Sequence, residues 1–197
     1  MNDSNIQDIP KMHTEIVRRS EEIGFTMPSD LYVGSFLKTL IASKPSGRFL
    51  EIGTGIGLSL SWMIEGMDSN SHLISVDNDK ELIEIAESFF GDHKQVDLIC
   101  EDGAKWLQQY DGAKFDLIFA DAWPGKYSEI EIVLDLLKVG GFYIIDDMKK
   151  QPNWPEGHEN FVFKLVEYLE KRDDFHITKM DWSTGLIVAV KNTVKTN

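Results

Sequence analysis

The stretch of sequence that decides the fold is Phe49-Leu-Glu-Ile-Gly-Thr-Gly-Ile-Gly-Leu-Ser59. Its apolar first half has the length of a strand and runs directly into Gly53, Gly55 and Gly57, after which a helical pattern begins. Glycines at such a point let the backbone turn tightly and approach a ligand closely, where a helix N-terminus offers free N–H groups. The stretch therefore predicts a strand, a ligand-binding turn and a helix, in that order.

On both sides of this turn, apolar runs of strand length alternate with stretches of helical spacing. The predicted strands are residues 48–52, 72–76, 95–100, 115–120 and 141–145, and the predicted helices include residues 79–90 and 127–137. Such alternation is typical of parallel strands joined by right-handed crossovers, with helices on both faces of the sheet. The sequence thus predicts an α/β protein.

The two ends of the chain carry other patterns. Residues 1–46 have helical spacing, which predicts N-terminal helices before a core of residues 47–197. After a predicted helix at 161–169, two strand-like runs at 175–180 and 186–190 are separated by Asp181-Trp-Ser-Thr-Gly185. A short polar connection that contains glycine predicts an antiparallel hairpin closing the sheet. Because no repeat, low-complexity tract or Gly/Ser linker interrupts residues 1–197, we expect a single domain.

Composition and charge exclude several classes of function. The 33 acidic residues outnumber the 20 basic ones, and a net charge of −13 disfavours nucleic acid as a partner, since such binding depends on neutralising phosphates. No apolar run approaches the roughly 20 residues needed to span a bilayer. Residues 1–10 lack the basic and apolar regions of a secretory signal, and Cys100 is alone, set in a run that predicts a buried strand thiol. We therefore expect a cytoplasmic protein that does not bind membranes.

The glycine-rich turn has more than one candidate ligand, because similar turns also bind dinucleotides. The dinucleotide spacing G-x-G-x-x-G would need a glycine at position 58, which is Leu58. Glu51, two residues before Gly53, suits a cationic amino-acid ligand better than a pyrophosphate. We therefore predict that Glu51, Gly53 and Gly55 bind such a cofactor, and a purely structural tight turn is the alternative.

Acidic residues also follow the next two predicted strands. Asp77, in Ser75-Val-Asp-Asn-Asp79, could accept both hydroxyls of a ribose, whereas Asp79 is better placed to cap the next helix. Asp102, in Glu101-Asp-Gly-Ala104, could accept an adenine amino group, with Gly103 beside it. An ordinary turn with a helix cap explains Asp102 equally well.

Three further aspartates follow two other predicted strands. Asp121 ends the strand FDLIFA, while Asp146 and Asp147 end the strand FYII. Because the ends of neighbouring parallel strands share one rim, the three carboxylates would raise each other's pKa values unless a cation lay between them. Oxygen ligands of this kind suit Mg²⁺, Mn²⁺ or Ca²⁺. The alternative is that Asp146 and Asp147 cap the next segment while Asp121 contacts the cofactor.

Taken together, these stretches resemble the class I O-methyltransferases of the catechol and caffeoyl-CoA type. The resemblance covers residues 27–191 and includes, besides the glycine turn, the stretches SVDND, EDGA, FDLIFADAWPGKY, LLKVGGFYIIDD and TGLIVAVK. It implies a Rossmann-like methyltransferase fold, with a seven-stranded, mostly parallel sheet whose last strand is antiparallel, and S-adenosylmethionine as cofactor. The positions that match the family's cofactor contacts are Glu51, Gly53, Ser59, Asp77, Asp102 and Asp121, and those that match its divalent-metal ligands are Asp121, Asp146 and Asp147.

The chain departs from the family pattern around the predicted metal site. The third metal ligand of the family is usually Asn, and here it is Asp147. Catechol-type enzymes carry a lysine base three residues after the first metal aspartate, and here that position is Pro124, which has no proton-accepting group. Lys126, two residues further on, matches a basic position that is not catalytic in the family.

The segment after the metal pair also differs from the usual family loop. Trp123, Trp154 and His158 could line the acceptor pocket, and His158 could act as an alternative base. A solvent-facing residue at the start of the last helix is the other interpretation of His158.

The function that the resemblance implies is O-methylation of a hydroxyl group on a small, aromatic acceptor. Asp121 and His158 are the candidate catalytic residues, and a divalent cation, Mg²⁺ above all, would act as a Lewis acid on the acceptor oxygen. The alternatives are a metal-independent methyltransferase acting on another nucleophile such as an RNA base, a dinucleotide-dependent oxidoreductase, and a non-catalytic module that binds S-adenosylmethionine. The resemblance is compatible with a monomer or a homodimer.

Overall fold

The computed structural model describes residues 2–193, and this part of the chain forms seven helices and seven strands, which alternate after the first two helices and before the last two strands. The elements are α1 (His13–Ile23), α2 (Leu31–Ala42), β1 (Arg48–Ile52), α3 (Leu58–Gly66), β2 (His72–Asp77), α4 (Lys80–Phe90), β3 (Val96–Cys100), α5 (Gly103–Gln109), β4 (Phe115–Ala120), α6 (Ile130–Leu136), β5 (Leu137–Ile145), α7 (His158–Glu170), β6 (Phe175–Met180) and β7 (Leu186–Lys191).

The strands form one seven-stranded sheet in the order β3-β2-β1-β4-β5-β7-β6. The pairs β1–β2, β2–β3 and β4–β5 are parallel, whereas β7 is antiparallel to both of its neighbours, β5 and β6. The predicted α/β, Rossmann-like sheet with an antiparallel last strand is therefore confirmed, and so is the predicted hairpin of β6 and β7.

Burial along the strands explains why their sequences are so apolar. Phe49 through Ile52 of β1 are all buried, and in β4 only Asp116 is partly exposed. Because successive side chains of a strand point to opposite faces, a run of buried residues means that both faces of the sheet are covered.

The chain divides into two compact units, the first ending at Asp102 and the second starting at Gly103. In the first unit, α2 packs against α3 so closely that a Cβ atom on Gly34 would lie 2.4 Å from Cδ1 of Trp62. In the second unit, the fully buried Phe115 and Phe119 of β4 and Tyr143 of β5 form part of the core.

Two local predictions were wrong. The helix predicted over 127–137 is shorter, because Glu129 has a left-handed conformation (φ 53°) and α6 begins only after it. Its last predicted residue, Leu137, is extended and starts β5, which continues through Gly140 (φ 77°) to Ile145. Cys100 is exposed rather than buried, because it ends β3, a strand at the edge of the sheet. Among the described residues, no helix has both the length and the apolar character that a membrane span requires.

Candidate active site

The glycine turn of the first unit has the backbone conformation that its sequence predicts. Gly53, Gly55 and Gly57 have φ angles of 104°, 51° and 94°, in the left-handed region that favours glycine. Gly57 directly precedes α3, and a Cβ atom there would lie 3.0 Å from the ring of Phe90. A side chain at position 57 would thus be strained by both the backbone and its surroundings.

Glu51, the last but one residue of β1, is a fully buried carboxylate beside this turn. Its two oxygens accept hydrogen bonds from the hydroxyls of Ser59 and Ser75, each at 2.5 Å, and Ser75 is also 2.6 Å from the hydroxyl of Thr54. Burial raises the pKa of Glu51 from 4.5 to about 7, although both hydroxyl groups favour the ionised form. A cation placed beside Glu51 would relieve this cost.

Asp77, at the end of β2, is tied to the same turn. Its carboxylate accepts hydrogen bonds from the backbone N–H groups of Gly55 at 2.8 Å and of Asp79 at 2.9 Å. Asp79 accepts from the N–H groups of Glu81 and Leu82, so that its predicted role as the N-cap of α4 is confirmed. The two aspartates therefore have different surroundings: Asp77 bonds to the glycine turn, and Asp79 caps α4.

The third predicted cofactor element lies at the point where the two units join in sequence. Asp102 is exposed and directly precedes α5, whose first residue is the buried Gly103. This placement fits either of the two interpretations of Asp102, as a cofactor contact or as part of an ordinary helix start.

In the second unit, the predicted acidic residues follow β4 and β5. Asp121 is half-buried directly after β4, and the N–H group of Asp146 donates to the carbonyl oxygen of Ala120 at 3.3 Å. Asp146 is buried, and one of its carboxylate oxygens, Oδ1, accepts hydrogen bonds from the hydroxyl of Thr184 and from the N–H of Asp147. Asp147 has the left-handed φ of 55°.

The charge state of this acidic pair is set mainly by burial. Burial raises the pKa of Asp146 to about 6, with the negative charge of Asp147 adding to the rise and the hydroxyl of Thr184 opposing it. Burial also raises the pKa of Asp147, and the positive charge of Lys126 opposes the shift at both carboxyls. Within residues 2–193, no group of three or more Asp, Glu, His or Cys side chains is arranged to hold a metal ion. The metal site predicted at Asp121, Asp146 and Asp147 stays a prediction.

Lys126, which the sequence comparison matched to a basic position that is not catalytic in the family, is buried, with 5% of its surface exposed. It belongs to the loop after β4, in which Gly125 donates its N–H to Ser128 at 2.8 Å and accepts a hydrogen bond from the hydroxyl of the buried Tyr143. The Lys126 ammonium nitrogen lies 5.4 Å from the ring centroid of Tyr127. The loop therefore buries a positively charged side chain whose charge opposes the rise in the pKa values of Asp146 and Asp147.

Next to this loop, five rings form what we call the aromatic cluster: Trp123, Tyr127, Trp154, His158 and Phe161. Trp123 lies 5.0 Å from Tyr127 and 4.7 Å from Phe161 between ring centroids, while Trp154 lies 4.3 Å from His158. The Tyr127 hydroxyl is 3.0 Å from Nε2 of His158. Trp123 is still 45% exposed, so the cluster presents an aromatic surface to solvent.

The electrostatics of the cluster keep its two titratable groups neutral at pH 7. Burial lowers the pKa of His158, and the charge of Lys126 lowers it further. Burial raises the pKa of Tyr127, as does the negative charge of Asp147. A neutral imidazole can take up a proton, which is the property that a base requires.

Comparison with known proteins gives the family. The sequence model of the O-methyltransferase family matches residues 9–168. The chain belongs to the O-methyltransferase family.

Individual relatives agree with this assignment. A caffeoyl-CoA O-methyltransferase-like protein of Arabidopsis thaliana is 30% identical over 152 residues, which are 70% of this chain and 65% of that protein. An O-methyltransferase of Aspergillus hancockii is 32% identical over 135 residues, 66% of this chain and 53% of that protein. The chain thus aligns with about half to two thirds of the length of these relatives.

Solved structures show the same fold. The O-methyltransferase TomG from Streptomyces achromogenes, solved in complex with SAM, has a TM-score of 0.84 at 21% identity, with 96% of this chain and 93% of that chain covered. At this identity the similarity shows a shared fold and nothing more.

Three hydroxyl residues that contact the predicted site residues were not predicted from the sequence. Ser75 and Thr54 support Glu51, and Thr184 supports Asp146 from the connection between β6 and β7. Ser75 lies in the quoted stretch SVDND, and its alternation along β2 could have indicated a side chain facing the glycine turn. Nothing in the local sequence indicates Thr184, because its partner lies 38 residues away.

Proposed function

We propose that this protein is an S-adenosylmethionine-dependent O-methyltransferase that methylates a hydroxyl group of a small aromatic acceptor. One observation carries the proposal. In a chain of the O-methyltransferase family, the buried Glu51 and the strand-end Asp77 flank a turn of left-handed glycines. A buried carboxylate with a raised pKa next to an open backbone turn is suited to a ligand that carries positive charge.

The cofactor, when bound, supplies an electrophilic methyl group on a positively charged sulfur. Glu51, which Ser59 and Ser75 hold in place, would bind the ammonium of its amino-acid part, and Asp77 would accept the ribose hydroxyls. Gly53 and Gly55 let the backbone come close to it. We further propose that Ser59, Asp102, Gly103 and Asp121 contact the cofactor, as the family resemblance implies. The TomG structure, which was solved with SAM, supports this choice of ligand.

The acceptor would bind at the aromatic cluster of the second unit. Trp123 leaves nearly half of its surface exposed, and a planar phenolic ring could stack against it or meet it edge-on. His158 is the group that we propose takes the hydroxyl proton, since its lowered pKa leaves it neutral at pH 7. Its Nε2 faces the hydroxyl of Tyr127 at 3.0 Å, so that Tyr127 orients the ring.

In the proposed reaction, a methyl group moves from the sulfur of the cofactor to the oxygen of the acceptor. The acceptor oxygen forms a bond to the methyl carbon while the carbon–sulfur bond breaks, and the electron pair of that bond stays on sulfur. The hydroxyl proton passes to His158 and from there to solvent. Because such a displacement requires the oxygen to be in line with the breaking bond, the residues contribute mainly by holding the acceptor in position.

The oxygen ligands that the second unit offers to the predicted Mg²⁺ are already engaged in part. Mg²⁺ requires nearly octahedral oxygen coordination, whereas Asp146 Oδ1 already accepts two hydrogen bonds and the ammonium of Lys126 acts on both neighbouring carboxylates. Since no group of three or more Asp, Glu, His or Cys side chains in the described part of the chain is arranged to hold a metal ion, we derive no catalytic step through Mg²⁺. The alternative, that Asp121, Asp146 and Asp147 bind Mg²⁺, stays a prediction that chelation tests.

The experiment that tests the proposed function has two parts. Calorimetry should show binding of S-adenosylmethionine and S-adenosylhomocysteine, and a screen of phenolic acceptors should show release of S-adenosylhomocysteine. Binding of NAD in their place would refute the proposal, and binding without turnover of any acceptor would favour the non-catalytic module. A net charge of −13 makes a small molecule a better acceptor than a nucleic acid, while a cytoplasmic location and a monomeric or homodimeric state stay predictions.

A further inference from the structure

Four buried polar side chains of the first unit form what we call the hydroxyl network: Glu51, Thr54, Ser59 and Ser75. Each has at most 2% of its surface exposed. The hydroxyls of Ser59 and Ser75 donate to the two carboxylate oxygens of Glu51, each at 2.5 Å. The hydroxyl of Thr54, a residue of the glycine turn, lies 2.6 Å from that of Ser75. Since Ser75 lies directly opposite Glu51 in the parallel pair of β1 and β2, the sheet itself brings the two side chains together.

The direction of the hydrogen bonds in this network follows from counting protons. A hydroxyl group has one proton to donate. Because Ser75 uses its proton on Glu51, it accepts in its bond with Thr54, and Thr54 is the donor. The three bonds thus use three hydroxyl protons and end on a carboxylate that carries none. A proton on Glu51 would leave one donor of the network without an acceptor in it, and a buried donor without an acceptor is destabilising. The network therefore favours the ionised form of Glu51.

Two other influences favour the protonated form of the same carboxyl group. Burial raises the pKa of Glu51 to about 7, and the negative charge of Asp77, at the end of β2, raises it further, whereas the hydroxyls of Ser59 and Ser75 lower it. An ionised carboxylate can accept about four hydrogen bonds, and the network fills two of these positions. Glu51 thus retains acceptor capacity for a ligand that carries an ammonium group.

We propose that Ser75, and Thr54 through Ser75, are positioning residues that favour the ionised form of Glu51 and fix its oxygens for the ammonium group of a ligand. The first half of this proposal concerns the protein without ligand. The second half rests on the proposed function, in which Glu51 binds the amino-acid part of the cofactor. The consequence is a site that distinguishes ligands with an ammonium group from otherwise similar ligands without one.

The first test compares two ligands by calorimetry at neutral pH. They are S-adenosylhomocysteine and methylthioadenosine, which shares the thioether and the adenosine but has no amino-acid part. Ser75→Ala should bind S-adenosylhomocysteine about 10-fold more weakly than the wild type does, the scale of one hydrogen bond to a charged group. Its affinity for methylthioadenosine should be unchanged, because that ligand has no ammonium group to meet Glu51. A merely structural role of Ser75 would weaken the binding of both ligands.

Variants of Thr54 test the outer end of the network. Thr54→Val keeps the shape of threonine and removes the donor to Ser75, so it should weaken the binding of S-adenosylhomocysteine selectively, and by less than Ser75→Ala. Thr54→Ser keeps the hydroxyl and should bind both ligands as the wild type does.

Ser71→Ala is the matched control for the loss of a buried hydroxyl. Ser71 directly precedes β2 and donates its hydroxyl to a carboxylate, that of Asp68, at 2.8 Å. It lies at the opposite end of β2 from Asp77, so the affinities for both ligands should stay at the wild-type values.

The second test needs no ligand. Between pH 4.5 and about 7 the folded protein holds a proton on Glu51 that the unfolded chain has released, so the free energy of unfolding falls as the pH rises through this range. Losing a hydroxyl that favours the ionised form raises the pKa of Glu51 in the folded protein. In urea unfolding, the fall should therefore continue to higher pH in Ser75→Ala and Thr54→Val than in the wild type. In Ser71→Ala it should end at the wild-type pH, because the pKa of Asp68 lies below its ordinary value of 3.8 and outside this range.

The proposal would be overturned if Ser75→Ala weakened the binding of both ligands equally, or if its free energy of unfolding stopped falling at the wild-type pH. If Ser75→Ala does not fold, the same two measurements on Thr54→Val and Thr54→Ser decide, and identical results for these two variants would refute the role of Thr54. If the wild-type protein binds neither ligand, the proposed function fails, and the unfolding series still decides whether the network favours the ionised form of Glu51.

Discussion

Replacing Glu51 with glutamine should make the protein more stable at neutral pH and at the same time weaken its binding of S-adenosylmethionine. Glu51 has no exposed surface, and burial raises its pKa from 4.5 to about 7. Between these two pH values the folded protein holds a proton on Glu51 that the unfolded chain has released. The free energy of unfolding therefore falls as the pH rises through this window, and the loss is complete above about pH 7.

The size of the effect follows from the same two pKa values. Since a tenfold change in an ionisation constant corresponds to about 1.4 kcal/mol, the difference between 4.5 and about 7 corresponds to about 3 kcal/mol. Glutamine has nearly the shape of protonated glutamate and can still bond to Ser59 and Ser75. Glu51→Gln should thus equal the wild type in stability at pH 4 and exceed it by up to about 3 kcal/mol at pH 8.

Urea unfolding of both proteins across this pH range measures the difference, and contributions from other carboxyls such as Asp146 cancel between them. Calorimetry should show that the variant binds S-adenosylmethionine about 10- to 100-fold more weakly, the scale of a hydrogen bond to a charged group. Asp79→Asn is the control. It also removes a carboxylate and keeps the helix cap, but Asp79 is not among the proposed cofactor contacts, so binding of S-adenosylmethionine should not change. A stability difference that does not change with pH would refute the reasoning about the charge on Glu51.

Further substitutions and assays test the remaining inferences. Asp77→Ala should weaken binding of S-adenosylmethionine by about 1.5–3 kcal/mol in calorimetry, because it removes the proposed acceptor for the ribose hydroxyls. His158→Gln should lower kcat most near neutral pH, where His158 is neutral and the acceptor hydroxyl still holds its proton, and a pH profile with the wild-type shape would exclude His158 from proton transfer. Gly34→Ala should destabilise the protein by about 1–3 kcal/mol in urea unfolding, since the added Cβ would lie 2.4 Å from Trp62. A shift assay with tRNA should show no binding at physiological salt, because the net charge is −13.

The elements that the sequence predicted well are those in which a local pattern and the fold agree. The apolar run of β1 is followed by three glycines. An apolar run of this kind is buried on both faces, which places β1 in the interior of the sheet. The assignment of Asp79 to the helix cap also came from local chemistry, because a cap needs only the N–H groups two and three residues ahead.

The predictions that were wrong depended on information outside the local window. The spacing of apolar residues over 127–137 fits a helix, and only the left-handed conformation of Glu129 and the extended Leu137 divide the stretch into loop, helix and strand. Cys100 has the neighbours of a core residue, but β3 lies at the edge of the sheet, and strand order cannot be read from the strand itself.

In the candidate site, too, the sequence predicted residues in local motifs but not those whose surroundings depend on distant parts of the chain. Glu51 and Asp77 stand in recognisable motifs, whereas the surroundings of Lys126 are set by Tyr143 and by an acidic pair about 20 residues further along the chain. Nothing in the local sequence indicates that Lys126 is buried, because its burial depends on how the loop packs onto β5.

Both parts of the candidate site contain a buried carboxyl group with a raised pKa, but the groups around the two carboxyls differ. Glu51 is a buried carboxylate whose neighbours are hydroxyl groups, so that it holds its proton up to about pH 7, and a cationic ligand would favour its ionised form. Asp146 is also buried, with its pKa raised to about 6, but Lys126 supplies a positive charge from within the chain. It follows that cofactor binding should release a proton below pH 7, because Glu51 has to ionise first, and should release little or none above pH 7, where Glu51 is already ionised.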